Sequence, residues 1–497
     1  MLKNEKGAPV TTSLTLVPAA ILFSIGFFIA SGCGRSAADA ERQPTLLRIG
    51  FGLAAGTSGI SGIQQTARNI ALEGLVRVGR DGRPVPLLAE GWEVSQDRLT
   101  WRVRLRSTAK FHSGKRVDAG EIQRFLQTQL PQDLGPAFED VASIRTTTDG
   151  AIEFSLHRPS AFLMERLDDL IQEPGSSLSG TGAFYVADQK GGQLELRANA
   201  GYYTGRPSLD RIVIKPYTTV RSAWADLLRG QVDMLYDVGV DALDSLQASK
   251  DIAVFTFERG YSFMLLLNFR RPYLRDPVLR RQLNQAIDRN EIVRDVLRGH
   301  GTPADGVVWP HHWAYTSDLP RFQYEPRLVS AAARRRLTCI FNEPAYERMA
   351  LVVQRQLQAV GVDLELELVN GEELIKRLRT GDFDAFLSDF IQGPNMVRPY
   401  LFWHSGAPFN VGQFSSAQVD AALDAIRHAA DDTTYKAGVA AFQRAVVDDP
   451  PAVFLAWRQR ARAVSTRFLV PDAPGADILT ALHFWRPATE ERLASRR

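Results

Sequence analysis

Cysteine is nearly absent from this chain: there are two in 497 residues, Cys33 and Cys339. A disulfide-stapled fold is therefore excluded, and a chain of this length can rely on buried apolar surface instead. Cys339 sits in the apolar run Leu337–Phe341 and reads as a buried, inert thiol. An excess of one charge is also missing, since 59 basic residues face 56 acidic ones for a formal charge of +3. No basic stripe with interleaved aromatics occurs, so nucleic acid is not an expected partner. Catalytic signatures are missing as well: there is no G-x-S-x-G, H-E-x-x-H, Walker loop, or G-x-G-x-x-G after a strand. The chain is not expected to be an enzyme or to carry a cofactor. No metal site is expected either. His112 has no second ligand at suitable spacing, and the adjacent His311-His312 cannot readily chelate one ion together with His300. Asp168-Asp169 could be a general acid–base pair, but neighbours on a helix point apart, and the pair reads as a solvated helix surface.

What is present begins at the N-terminus. Lys3 and Lys6 precede a run without charge, Leu14 to Ala30, followed by Ala30-Ser31-Gly32-Cys33. The stretch resembles a bacterial lipoprotein signal, residues 1–33, with Cys33 as the lipidated residue. An uncleaved membrane anchor is the alternative. Either way the rest of the chain is expected outside the cytoplasm and held at a membrane. Residues 34–44 read as a flexible tether.

The body alternates strands and helices. Trp92 and Val94 face Leu99, Trp101, Val103 and Leu105 across the polar turn Ser95–Arg98, a hairpin pattern. Asp118 and Glu121 form a capping-box pattern that starts a helix over 122–130. Thr219 and Gly230 bracket a helix over 220–229, before alternating Val232, Met234 and Tyr236. Met349, Val352, Val353, Leu357 and Val360 share one helical face, Gly361 ends that helix, and Val362, Leu364, Leu366 and Leu368 alternate after it. A helix over 372–379 and the run Phe383–Phe390 complete a βαβ unit, whose two strands should be parallel. The stretch DPVLRRQLNQAIDRNEIVRDVLRG, residues 276–299, predicts two short helices, with Asp276 and Asp288 as N-caps, Glu291 closing a capping box, and Gly299 at the end.

Several of these stretches resemble one family in order. The apolar run Tyr261–Phe269 followed by residues 276–299 is similar to the "NFxxxPFxDxxVRxALxxAIDR" core of family 5 extracellular solute-binding proteins, the dipeptide, oligopeptide and nickel receptors of ABC importers. The region around Trp92 to Asp118, the turn Gly180-Thr181-Gly182, and Leu227–Met234 resemble further motifs of that family. The resemblance implies an α/β, two-lobed periplasmic-binding-protein-like fold (type II, cluster C-like) with a hinge and an inter-lobe cleft. Residues 44–258 plus 462–490 would form a discontinuous lobe I, and residues 262–455 lobe II. It also implies capture of a peptide-like or other small solute for an ABC permease and ATPase, by a monomer tethered through its N-terminal lipid. A ligand-sensing or scaffold lipoprotein uncoupled from transport is the second reading.

The ligand is expected between the lobes. Peptide-binding members carry "FDAxxxxWxxDYPDP", whose aspartate takes the ligand's ammonium group, whereas this chain reads FDAFLSDFIQGPNM, with Phe390 for the tryptophan and Gly393 for the aspartate. A buried ammonium without a carboxylate is costly. The expected ligand is therefore neutral, acidic or N-blocked, or sits elsewhere in the cleft. Tyr261, Phe263, Phe390, Asn395, Trp403, His404 and Asn410 are the candidate contacts, with Thr57 and Ser58 from the glycine-rich loop.

Overall fold

The computed structural model describes residues 45–52, 59–330, 335–471 and 475–489. The signal segment, Cys33, the tether, Thr57 and Ser58 lie outside the described residues. No helix among the described residues is long and apolar enough to cross a membrane.

The apolar run from Tyr261 is the second half of a sixteen-residue strand, Ile252–Leu267. It pairs antiparallel with the fourteen-residue strand Ala452–Ser465, from Ile252 opposite Ser465 to Leu266 opposite Ala452. The register slips at Phe263–Met264 and breaks more widely between Glu258 and Ser262. On one side of the break Met234–Leu235 pairs with Val464 and Ala463, and the sheet runs on through Leu46–Gly52, Arg211–Tyr217, Gln193–Ala198 and Phe184–Lys190. On the other side the strand pairs with Ala385–Ile391, followed by Arg335–Phe341 and Val362–Leu368. One sheet thus serves two lobes, each with its own core. Leu47, Ile49, Leu196, Ile212 and Trp485 fill the first, and Leu265, Leu337, Val353, Leu423 and Phe454 the second.

The helix and turn chemistry follows local rules. The helix Glu347–Ala359 buries Met349, Val353 and Leu357, and Gly361 turns the chain at φ +89° into Val362–Leu368. Arg335–Phe341 pairs parallel with both Val362–Leu368 and Ala385–Ile391, as the βαβ pattern requires. The hairpin pairs Ala89–Val94 with Thr100–Leu105, Trp92 opposite Val103, inside a small four-stranded sheet completed by Ile152–Leu156 and Val141–Thr146. Its covering helix, Ala119–Leu134, is longer than the pattern predicts and runs through Pro131, because Leu130 and Leu134 are buried on either side. Two expectations are corrected. The second half of residues 276–299 is a single turn, Arg289–Glu291, that widens into a π-turn over Ile292–Val296. Asp288 accepts from the Glu291 amide at 3.0 Å, but the Glu291 carboxylate is drawn off to Arg355 and Gln356, so the box does not close. The strand expected over 232–236 shrinks to Met234–Leu235.

The small sheet packs on the second lobe. Phe162 meets Tyr400 edge-on at 5.2 Å. Asp140, fully buried, accepts from Arg427 Nε at 2.6 Å and lies 3.2 Å from His428 Nε2. Burial pushes the Asp140 carboxyl up, but the bonds to His428 and Arg427 more than offset this and hold it below its ordinary value. Glu165, from the short helix Ala161–Arg166, accepts the Met396 and Val397 amides at 2.9 Å each, plus the Tyr435 hydroxyl. Burial pushes its carboxyl up to about 7, against those three donors.

Two predictions follow from these contacts. Gly260 has φ +67°, and a Cβ there would lie 2.7 Å from Gly393 Cα. Gly260→Ala should therefore lose more than the roughly 1–2 kcal/mol of a left-handed alanine alone, read as a lower urea midpoint at unchanged m-value. For Glu165 the folded value is the raised one. Its contribution to stability is therefore complete below about 4.5 and is lost as pH rises through about 7. The loss is on the order of 3 kcal/mol, from about 1.4 kcal/mol per unit. Urea unfolding at pH 5 and pH 7 should show this slope in the native protein and a flatter one in Glu165→Gln; equal slopes would refute the assignment.

Candidate ligand-binding site

A cavity of about 620 Å³ opens where the two long strands change register, within the range of roughly 300–1,000 Å³ of small-molecule sites. One wall comes from the first lobe and the small sheet: Glu73, Arg77, Arg166, Asp168, Asp169, Tyr202, Tyr236, Arg462, Asp477 and His483. The facing wall is Tyr261, Ile391, Gly393, Pro394, Asn395 and Arg398. Glu258 lies beside the break itself.

Several of the charged groups are held in place by one another. Arg462, 1% exposed, bonds Asp477 through Nε at 3.1 Å and Nη2 at 2.7 Å, donates to the Tyr236 carbonyl, and stacks over the Tyr236 ring at 4.0 Å. Glu73 accepts from Tyr202 at 2.6 Å, Thr181 at 2.8 Å and Tyr203 at 3.0 Å. Burial still raises its carboxyl above the ordinary range. A third group is less settled. Arg166 is shared by Asp133 at 2.9 Å, Asp169 at 3.0 Å and Asp168 at 3.8 Å. Burial and the Asp133 charge raise Asp169 in spite of Arg166, while Asp133 stays low. Burial raises Asp168 too, against the attraction of Arg166 and Arg398.

The structure corrects the reading of Asp168-Asp169 as a solvated helix surface. The helix ends at Arg166, and the two carboxylates follow it into the cavity wall, held by burial around Arg166. Of the predicted contacts, Tyr261 and Asn395 line the cavity. Phe263, Phe390, Trp403, His404 and Asn410 do not. Phe263 packs edge-on against Tyr346 at 5.3 Å. Phe390 sits between Phe386 and Phe402. Trp403 is 2% exposed and donates to Gln392 Oε1 at 2.7 Å. His404 stacks on Tyr400 at 4.6 Å, and Asn410 closes a local turn with both backbone groups of Phe414. Phe263, Phe390 and Trp403 are recruited by the second lobe's core, where apolar burial outweighs exposure to a polar cavity. Among the described residues no cluster of three or more metal-ligating side chains occurs. His112 bridges the Gly180 amide and the Gly182 carbonyl.

Gly393 has a local reason to be glycine. A Cβ at this position would stand 3.0 Å from Trp309 Cβ and 3.5 Å from Gly260 Cα. The Gln392 and Gly393 amides both donate to the Gly260 carbonyl, at 2.8 and 3.2 Å. Among the residues missed by sequence reading, Arg398 carries one available signal: it is an arginine inside the apolar run Met396–Trp403, where an unpaired charge is costly.

Comparison with known proteins agrees with this architecture. Residues 83–412 match the sequence profile of the bacterial extracellular solute-binding proteins, family 5 middle. The chain is 25% identical over 404 residues to the probable D,D-dipeptide-binding periplasmic protein DdpA of Escherichia coli K12, covering 74% of this chain and 78% of that one. It is 24% identical over 423 residues to the oligopeptide-binding protein AppA of Bacillus subtilis 168, covering 74% and 77%. Among solved structures, NikZ of Campylobacter jejuni in complex with Ni(L-His) superposes with a TM-score of 0.76 at 19% identity, covering 89% of this chain and 99% of that chain. AppA of Bacillus subtilis bound to a nonapeptide gives 0.75 at 21% identity, covering 90% and 100%. With the profile match spanning most of both lobes, the chain belongs to the family 5 bacterial extracellular solute-binding proteins.

Proposed function

We propose that this protein captures a small solute outside the cytoplasm by closing its lobes, and presents it to the permease and ATPase subunits of an ABC importer. The observation that carries this reading is a cavity with charged walls contributed from both sides of two shared strands. A solute touching both walls gains its contacts only when the lobes are together, so it shifts an open–closed equilibrium. A full shift from mostly open to mostly closed takes about 5.5 kcal/mol of differential affinity. Tyr261, Asn395 and Arg398 act from one wall, and Asp168, Arg462 and His483 from the other.

In this reading the lobes meet near Glu258 and Ser262 on the first long strand and near Leu455 and Arg462 on the second, and the register break between Glu258 and Ser262 supports a hinge there. Lipid on Cys33 would hold the monomer at the membrane. The relatives named as peptide receptors support a peptide-like solute. Small-angle scattering of unfolded, washed and refolded protein, with and without a small-molecule extract of cells, tests the mechanism. The radius of gyration should fall on adding extract, and native mass spectrometry should then recover the solute unaltered. An unchanged radius, or a chemically converted solute, would count against it.

A further inference from the structure

We propose that Asp168, together with the amide oxygen of Asn395, holds a protonated amino group of the solute, and that Arg398 beside them takes the carbonyl or carboxylate next to it. The site would thus recognise an amino-acyl head in a place other than the acidic anchor position occupied by Gly393. The inference rests on the solute-binding reading and narrows it to one chemical class.

Two separate observations point to the amine. Asp168 lines the cavity, and its Oδ1 is buried with no hydrogen-bond partner among the described residues. Its nearest guanidinium, Arg166, is 3.8 Å away and is engaged more closely by Asp133 and Asp169. Asn395, from the opposite wall, is 3% exposed, and its Oδ1 is likewise without a partner. Its amide nitrogen is fixed by the Glu165 carbonyl at 3.2 Å, three residues before Asp168, so the free oxygen is kept beside that segment. A buried acceptor lacking a donor is costly, and here there are two. A group with several N–H donors and a positive charge satisfies both at once.

The second arginine selects the other half of the head. Arg166 and Arg398 line the cavity together with Asp168 and Asp169. The Arg398 guanidinium faces Asp168 and Asp169 without a hydrogen bond to either among the described residues. An ammonium drawn to Asp168 leaves Arg398 seeking an acceptor, and a carbonyl or carboxylate on the adjacent carbon supplies one. At position 393 itself a side chain would press on Trp309, whose Cβ lies 3.0 Å from where a Cβ would stand.

Calorimetry on refolded, solute-free protein with three probes decides the matter: trialanine, trialanine amide and N-acetyl-trialanine. The first two should bind, and the acetylated form at least a hundredfold more weakly. Asp168→Asn should weaken trialanine at least thirtyfold with the melting temperature kept; if that variant does not fold, the acetylation comparison decides alone. Equal binding of the acetylated probe, unchanged affinity in Asp168→Asn, or no binding of any probe would overturn the proposal. Compaction by the cell extract with none of the three probes bound would remove the amine site and leave lobe closure standing. No compaction by extract or probe would remove both.

Discussion

Backbone pairing between Ile252–Leu267 and Ala452–Ser465 is the constraint on which the rest of the structure depends. Neither lobe could build its sheet without a segment of these two strands, so the lobes are joined by hydrogen-bonded strands and not by loose linkers. The register break is where that continuity is interrupted, and the cavity lies there. A β-sheet tolerates a local break at a glycine with positive φ far better than in its interior. The joint is therefore confined to a few residues around Gly260.

The cavity differs from an apolar ligand pocket in how it is furnished. Arginines and carboxylates face one another in sets: Arg462 with Asp477, and Arg166 with three aspartates. Paired in this way they hold their positions without solute, which reduces the ordering needed on binding. The second set is incompletely matched, and that mismatch separates a wall that recognises from one that only supports. Glu73 shows the supporting case, with three hydroxyl donors satisfying it.

Much of the fold was legible because its signals are local. The hairpin around Trp92 and Trp101, the helix ending at Gly361 and the cap at Thr219 each follow from neighbours in sequence. The candidate site was less so. Tyr261 and Asn395 flank the break and could be found by motif position, but Asp168 was misassigned because a pair of aspartates after an amphipathic helix looks like solvated surface. Only tertiary packing brings Asp133 and Arg166 around it. The aromatic candidates lie outside the cavity for the opposite reason. Phe390, Trp403 and Phe263 resemble ligand platforms in sequence, yet the second lobe needs their area for its core. The capping box at Asp288 opened because Arg355 and Gln356, more than sixty positions away, compete for Glu291.

The contact among Gly260, Gly393 and Trp309 also bears on how such a receptor could change its diet. A Cβ at 393 would press on the Trp309 side chain, so an aspartate introduced there alone would have to shift that tryptophan before it could greet a ligand. Acquiring an acidic anchor at 393 would demand an accompanying change at Trp309. Drift in specificity is far more accessible along the opposite wall, where Asp168 and its neighbours follow the end of a helix and one exchange need not disturb the pivot.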